Sequence, residues 1–388
     1  MSSATLAAPR IHWTEADEEH TALWRSESGF AAPTRVTVVD DSLTADAALR
    51  LVKAGTALLW RGDYHNARQL LRALGRRIDG GRRRPQDADL TQVFRRHRTE
   101  AARRAELLGL LLVPLEADFG VPLRRAPDLR AACAETWGDP EGTEAAHGAS
   151  VTSLRELIGI VGAHEWRRKG VAIAALDDRI YAHYGVFSPV RGEYLDLVAT
   201  APLPESPRSL VAFDIGTGTG VIAAILAKRG VAHVVGTDQS LRALTCARDN
   251  VARLGLSDRV DVVDADLFPA GRADLVVCNP PWIPASAVTA TDHAVYDPES
   301  RMLRGFLDGL AAHLEPGGEG WLIISDIAER LGLRSRSKLL DLIDAAGLTV
   351  VTRLDTRPTH PRAADTADPL HTARAAEVTS LWRLCATT

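Results

Sequence analysis

Apolar and polar positions alternate most regularly in the second half of the chain. There, short apolar runs recur, each followed by a longer amphipathic stretch. The runs 210–215, 232–237, 259–263, 273–278, 319–325, 348–355 and 377–384 predict strands, and the stretches 219–229, 240–254, 300–314 and 335–346 predict helices. The short apolar run Leu210 to Phe213 reads as a buried strand. Alternating strands and helices predict an α/β, Rossmann-like doubly wound sheet with right-handed crossovers.

The first half is less regular. Ala67, Leu70, Leu71, Leu74 and Ile78 form a helical stripe. Thr44 to Ala54 and Phe94 to Leu112 also read as helices, the latter basic at its start and apolar at its end. Residues 12–30 combine Glu15, Asp17, Glu18 and Glu19 with Trp13, Leu23 and Trp24, which reads as one acidic amphipathic helix, and Val36 to Val39 reads as a short strand. Residues 138–150 lack periodicity and read as a linker. A helix from Val151 to Trp166, with Ser153 as its cap, and two short strands around Asp177-Asp178 follow. The expected division is a mainly helical substrate-recognition domain over 1–140, a connecting helix and hairpin over 141–190, and the doubly wound domain over 191–388.

Between the first strand and helix of that domain stands Asp214-Ile215-Gly216-Thr217-Gly218-Thr219-Gly220. Its glycines permit positive φ and let a ligand approach bare backbone near a helix start. Dinucleotide enzymes use a similar turn. Asp214, however, suits a ligand with ammonium or hydroxyl donors better than a pyrophosphate. Asp238 closes the next strand, about twenty residues on, where an acid can meet ribose hydroxyls. It could instead cap the following helix, a task Ser240 could also take. After the fourth strand comes Asn279-Pro280-Pro281-Trp282. Asn279 offers a side-chain carbonyl and Pro280 a backbone carbonyl, two acceptors that could hold one NH₂ group. The prolines stiffen the corner, and Trp282 can stack on a flat group.

The glycine turn together with Asn-Pro-Pro-Trp resembles the class I S-adenosylmethionine-dependent methyltransferases, within them the branch that methylates planar nitrogens. The resemblance spans about residues 180–385 and extends to the release-factor glutamine and ribosomal or transfer RNA amino-group enzymes of the small-methyltransferase-domain type. It implies S-adenosylmethionine as cofactor, a seven-stranded sheet ending in an antiparallel hairpin, and cofactor contacts at Asp214, Gly216, Thr217, Gly218, Gly220, Asp238, Gln239, Asp266, Leu267 and Asn279. Phe268 is expected near the adenine. Asn279, Pro280, Pro281 and Trp282 are the implied catalytic corner, with tryptophan where tyrosine or phenylalanine is usual. The segment Tyr184 to Tyr194 is similar to the release-factor enzymes' stretch over the cofactor, which implies substrate-side roles for Phe187, Pro189, Arg191 and Glu193. Tyr296, with Asp292 and His293, lies in a polar loop placed to gate a substrate, and 358–371 forms a second such loop.

Composition narrows the partners. A formal net charge of −4 argues against a wholesale nucleic-acid binder, yet basic residues outnumber acidic ones between Arg61 and Arg130. Those arginines form either a face for RNA or an acidic protein, or the solvent side of helices. Cys133, Cys246, Cys278 and Cys385 show no pairing or zinc-binding spacing. No signal peptide or membrane-spanning run is read, so the cytoplasm is expected. The expected function is N-methylation of an amide or exocyclic amino group on RNA or protein. A small metabolite with a guanidino or amino nitrogen, or a non-catalytic cofactor-binding scaffold, are the alternatives, and the oligomeric state is open.

Overall fold

The computed structural model describes residues 9–80, 89–140, 148–190, 192–205, 209–286, 295–358, 365 and 368–387. They group into two compact units, Met1–Asp87 with Arg96–Glu165, and Ala88–Arg95 with Trp166–Thr388.

The first unit is built on a six-stranded sheet, which corrects the mainly helical expectation. Its elements are β1 (Arg10–Glu15), β2 (Glu18–Arg25), β3 (Val36–Val39), α1 (Ala45–Lys53), β4 (Ala57–Trp60), α2 (Tyr64–Asp79), α3 (Leu90–Gly109, shared with the second unit), β5 (Leu111–Leu115), α4 (Arg130–Trp137), β6 (Ser150–Ser153) and α5 (Leu154–Lys169). The sheet order is β1-β2-β6-β5-β4-β3. The acidic stretch expected to be a helix is the β1–β2 hairpin, turned by Ala16 and Asp17 at φ 52° and 65°. Two consecutive positive-φ residues make the mirror-image turn that matches strand twist. An Ala-Asp pair carries none of the usual glycine or asparagine signal for it. Period-two burial of Ala22 and Trp24 is the trace of the strand that the acidic residues obscured. Similarly, Leu111 to Leu115, read in part as the end of a helix, is a buried strand with α3 stopping before it.

The second unit continues with the hairpin β7 (Val171–Ile173) and β8 (Asp178–Ile180), then α6 (Glu193–Thr200), β9 (Val211–Ile215), α7 (Val221–Lys228), β10 (His233–Asp238), α8 (Leu241–Arg253), β11 (Val260–Asp264), β12 (Ala273–Cys278), α9 (Arg301–His313), β13 (Leu314–Ser325), α10 (Ile327–Arg330), α11 (Arg336–Ala345), β14 (Leu348–Thr356), α12 (His371–Ala375) and β15 (Thr379–Ala386). Seven strands form one sheet in the order β11-β10-β9-β12-β13-β15-β14. β9 to β13 run parallel, and β15 is antiparallel to both neighbours. This is the Rossmann-like seven-stranded methyltransferase fold.

Both sheet faces are covered, as a parallel sheet requires. Leu275, Val277, Trp321 and Ile323 enter one core, while Val276, Cys278, Leu322 and Ile324 enter the other. Helix α7 is apolar on every side, and Val221 to Ala227 are all buried, so it lies inside the unit rather than on its surface. The chain order reverses between β9 and β12, and at such a point an open sheet leaves a crevice beyond its strand ends.

Candidate active site

Register brings the predicted motifs to one edge. Ile215 lies beside Thr237 on one side and Cys278 on the other, and Asp238 lies beside Asp264. The chain therefore leaves β9 at Gly216, β10 at Asp238 and β12 at Asn279 side by side, each about 5 Å from its neighbour at ordinary strand spacing.

The turn after β9 has Gly216, Gly218 and Gly220 at φ 70°, 55° and 78°. A side chain at Gly216 would also collide with Met302, since an added Cβ would lie 2.5 Å from its methyl. Glycine is demanded there by conformation, whereas the Met302 methyl is the free end of a flexible side chain and can swing aside. Thr217 N–H donates to the Thr237 carbonyl at 2.7 Å, which pins the turn to β10. Asp238 Oδ2 accepts from Gly218 N–H at 3.1 Å and its Oδ1 from Ser240 N–H at 2.9 Å. Ser240 takes the capping of α8 through Ala243 N–H. Asp238 remains half-buried at the open edge.

Asp214 differs from its expected place facing a ligand. It is 1% exposed, and its Oδ2 accepts from Thr217 Oγ1 at 2.6 Å and from Ala223 N–H at 3.1 Å. Burial pushes its carboxyl up to about 6, against the pull of those two donors. Its described work is to hold the turn closed.

Along the edge, Gln239 donates its side-chain amide to Asp266, and Arg301 reaches the same carboxylate at 3.5 Å. Both Gln239 and Asp266 are exposed. Leu267 adopts φ 71° and its carbonyl accepts from Thr237 Oγ1. Phe268 stacks on His313 with ring centroids 4.2 Å apart and fills the space over Gly309.

At the Asn-Pro-Pro-Trp corner, the Trp282 indole N–H donates to Asn279 Oδ1 at 2.9 Å. A tyrosine or phenylalanine there has no indole N–H to give. The bond turns the Asn279 carbonyl to a set direction and leaves that oxygen capacity for one further donor. Trp282 itself packs on the cores of both sheet faces, so the plate expected to stack on a substrate is also part of the wall. Past the corner, Ile283 bridges Tyr296, and Asp297 N–H returns to the Ile283 carbonyl at 2.9 Å. The Asp297 carboxylate then accepts from Met302 and Leu303 N–H and so starts α9. Asp292 and His293 lie outside the described residues, as does the 359–364 part of the second loop.

The segment before α6 places Pro189 in the interior and leaves Phe187 and Val190 40% and 45% exposed. Glu193 opens α6, and Arg191 lies outside the described residues. One positioning residue escaped the sequence reading. Asn250, 2% exposed on α8, accepts from Tyr181 N–H and donates to the Tyr181 and Thr219 carbonyls. It ties the end of the β7–β8 hairpin to the glycine turn. An asparagine between Cys246, Ala247 and Val251 on the apolar face of a helix was the signal available.

The family model for the methyltransferase small domain matches residues 178–335. A release factor glutamine methyltransferase of Cereibacter sphaeroides is 36% identical over 155 residues, covering 36% of this chain and 53% of the relative. The Mycolicibacterium smegmatis protein of the same name is 42% identical over 133 residues, covering 33% of this chain and 46% of the relative. The chain spans about half the length of these curated relatives. Among solved structures, a methyltransferase from Pyrococcus furiosus superposes with a TM-score of 0.38 at 18% identity, covering 60% of this chain and 98% of that one.

Proposed function

We propose, for a chain whose residues 178–335 match the methyltransferase small domain, that it is an S-adenosylmethionine-dependent N-methyltransferase acting on a side-chain amide of a protein. The observation that carries this reading is the register of Cys278 with Ile215, which sets the Asn279 corner beside the glycine turn. The names of the relatives, release factor glutamine methyltransferases, favour a glutamine amide.

The residues present fit the cofactor. Three glycines in the left-handed region bare the backbone at a strand end, and Asp238 stands half-buried beside them with carboxylate capacity for ribose hydroxyls. Gln239, Asp266 and Leu267 continue the edge toward the base. Bound there, S-adenosylmethionine supplies a methyl group already activated by its positive sulfur. The protein's task is to aim a nitrogen whose lone pair is delocalised. Asn279 Oδ1, oriented by Trp282, and the Pro280 carbonyl accept the two N–H groups of an amide, which turns its lone pair out of the amide plane. The methylated nitrogen then loses its proton to water, so no side-chain base is assigned.

Two arginines of the basic stretch are spent on acids, Arg77 on Asp46 and Arg104 on Asp79, which weakens the case for an RNA face. No described helix is long and apolar enough to cross a membrane.

The test is transfer of tritiated methyl into a lysate separated into protein, RNA and small-molecule fractions. Label is expected in protein and should be released as methylamine on acid hydrolysis, as an N-methyl amide requires. Label confined to RNA or small molecules overturns the protein reading. Asn279→Ala should bind cofactor normally in calorimetry while its turnover falls about 10²–10³-fold, the range for losing an oriented polar group at a reacting centre. Full turnover in that variant ends the aiming role.

A further inference from the structure

Within the methyltransferase unit, Ile327, Leu331 and Leu370 belong to a third apolar cluster, on which Trp282, Tyr296 and Leu333 pack. The next residue, Arg334, is 8% exposed, and its Nε and Nη2 are buried without a hydrogen-bond partner. Its loop is fixed, because the Leu333 and Arg334 backbone N–H groups both return to the Ala328 carbonyl. Burial draws the guanidinium below the ordinary arginine range, against the opposing pull of Glu329 and Asp297. Both acids are engaged elsewhere, Glu329 with Arg336 and Asp297 with the start of α9. After Leu370 of the same cluster comes His371, whose Nδ1 is also buried and unmatched.

A desolvated guanidinium with idle N–H groups is costly, and folded proteins keep buried polar groups paired as a rule. Nε–H and the adjacent Nη2–H form the side-on fork that matches the two oxygens of a carboxylate. Two carboxylates already act on this cation, so a singly charged oxyanion suits the site better than a phosphate dianion. We propose that Arg334 is an anchor for a carboxylate carried by the acceptor molecule, an aspartate or glutamate side chain near the amide that is methylated. The inference rests on the reading of the Asn279–Trp282 corner as the acceptor site, since Leu333 and Trp282 share one cluster.

The experiment separates that reading from the anchor. Thermal unfolding is followed with sodium glutarate against sodium chloride at equal ionic strength, in the wild type and in Arg334→Met, with no methyl transfer involved. A saturable rise in melting temperature is expected with glutarate in the wild type and none in the variant. The ligand-free variant should be at least as stable as the wild type, because removing an unpaired buried charge relieves its desolvation cost. Absence of a glutarate effect in the wild type, a stronger effect from phosphate, or a marked loss of stability in Arg334→Met each overturns the anchor. Short glutamine peptides with a neighbouring aspartate or its asparagine counterpart then give the kinetic arm. KM should be about tenfold lower for the aspartate peptide, the scale of a charged hydrogen bond. Arg334→Lys should keep part of that preference and Arg334→Met none. Equal KM for the two peptides in the wild type overturns the anchor. If neither peptide is methylated while glutarate binding depends on Arg334, the amide reading falls and the anchor stands.

Discussion

At the glycine turn, Asp214, Thr217, Asp238 and Asn250 spend their polar atoms on one another and on nearby backbone, whereas on the proposed acceptor side Arg334 and His371 keep buried nitrogens unmatched. Both sides belong to one unit. A cofactor of constant shape can be met by a turn that is complete before it arrives, at no cost to the fold. Under our proposal an acceptor recognised by its chemistry calls for groups held open for it, which the fold would carry as lost stability. The Trp282 indole lies at the seam, since it packs on both cores and orients Asn279.

Three substitutions sharpen this contrast. Asn250→Ala strikes the closed side and should have the largest effect. It leaves the Tyr181 and Thr219 groups without their shared partner, which should cost about 2–4 kcal/mol in urea unfolding and weaken cofactor binding in calorimetry. Unchanged cofactor affinity would show that the turn stands without it. Asp214→Asn tests the same side through pH. The folded carboxyl sits at about 6, above its unfolded range, so its stabilising contribution is full below about pH 4 and is lost as pH rises through about 6. The variant lacks that loss. Its stability relative to the wild type should therefore improve by about 3 kcal/mol between acid and neutral pH, and a pH-independent difference would remove the buried carboxyl from the account. Trp282→Phe tests the seam and should be the mildest. It keeps an aromatic wall but gives up the indole N–H, so turnover should fall about tenfold, the worth of one net hydrogen bond in the transition state, with cofactor affinity unaltered. A normal turnover number would mean that Asn279 needs no orienting partner.

The doubly wound half was legible because its signals are local and repeated. Leu210 to Phe213 reads as a buried strand, Gly230 stops the helix after the glycine turn, and Asp238 and Asn279 mark the ends of two further strands. The N-terminal unit was not, because its strands hide behind other signals. The β1–β2 hairpin turns on Ala16-Asp17 rather than on glycine, Ser150 to Ser153 is a polar strand buried throughout, and Leu111 to Leu115 follows a helix with a one-residue break. Local pattern could not separate these from helix or linker, since burial by distant strands overrides intrinsic preference.

Within the site the same boundary holds. Residue types and spacing were enough to mark the glycine turn, Asp238 and Asn279 as neighbours in space, because a parallel sheet must deliver successive strand ends to one edge. Which way each side chain faces was settled by packing across the sequence. Asp214 turned inward to Ala223, Phe268 went under α9, Asn250 joined two segments about seventy residues apart, and Arg334 was left buried with idle donors. Those outcomes depend on what lies against each group in three dimensions, and a one-dimensional pattern holds no record of that.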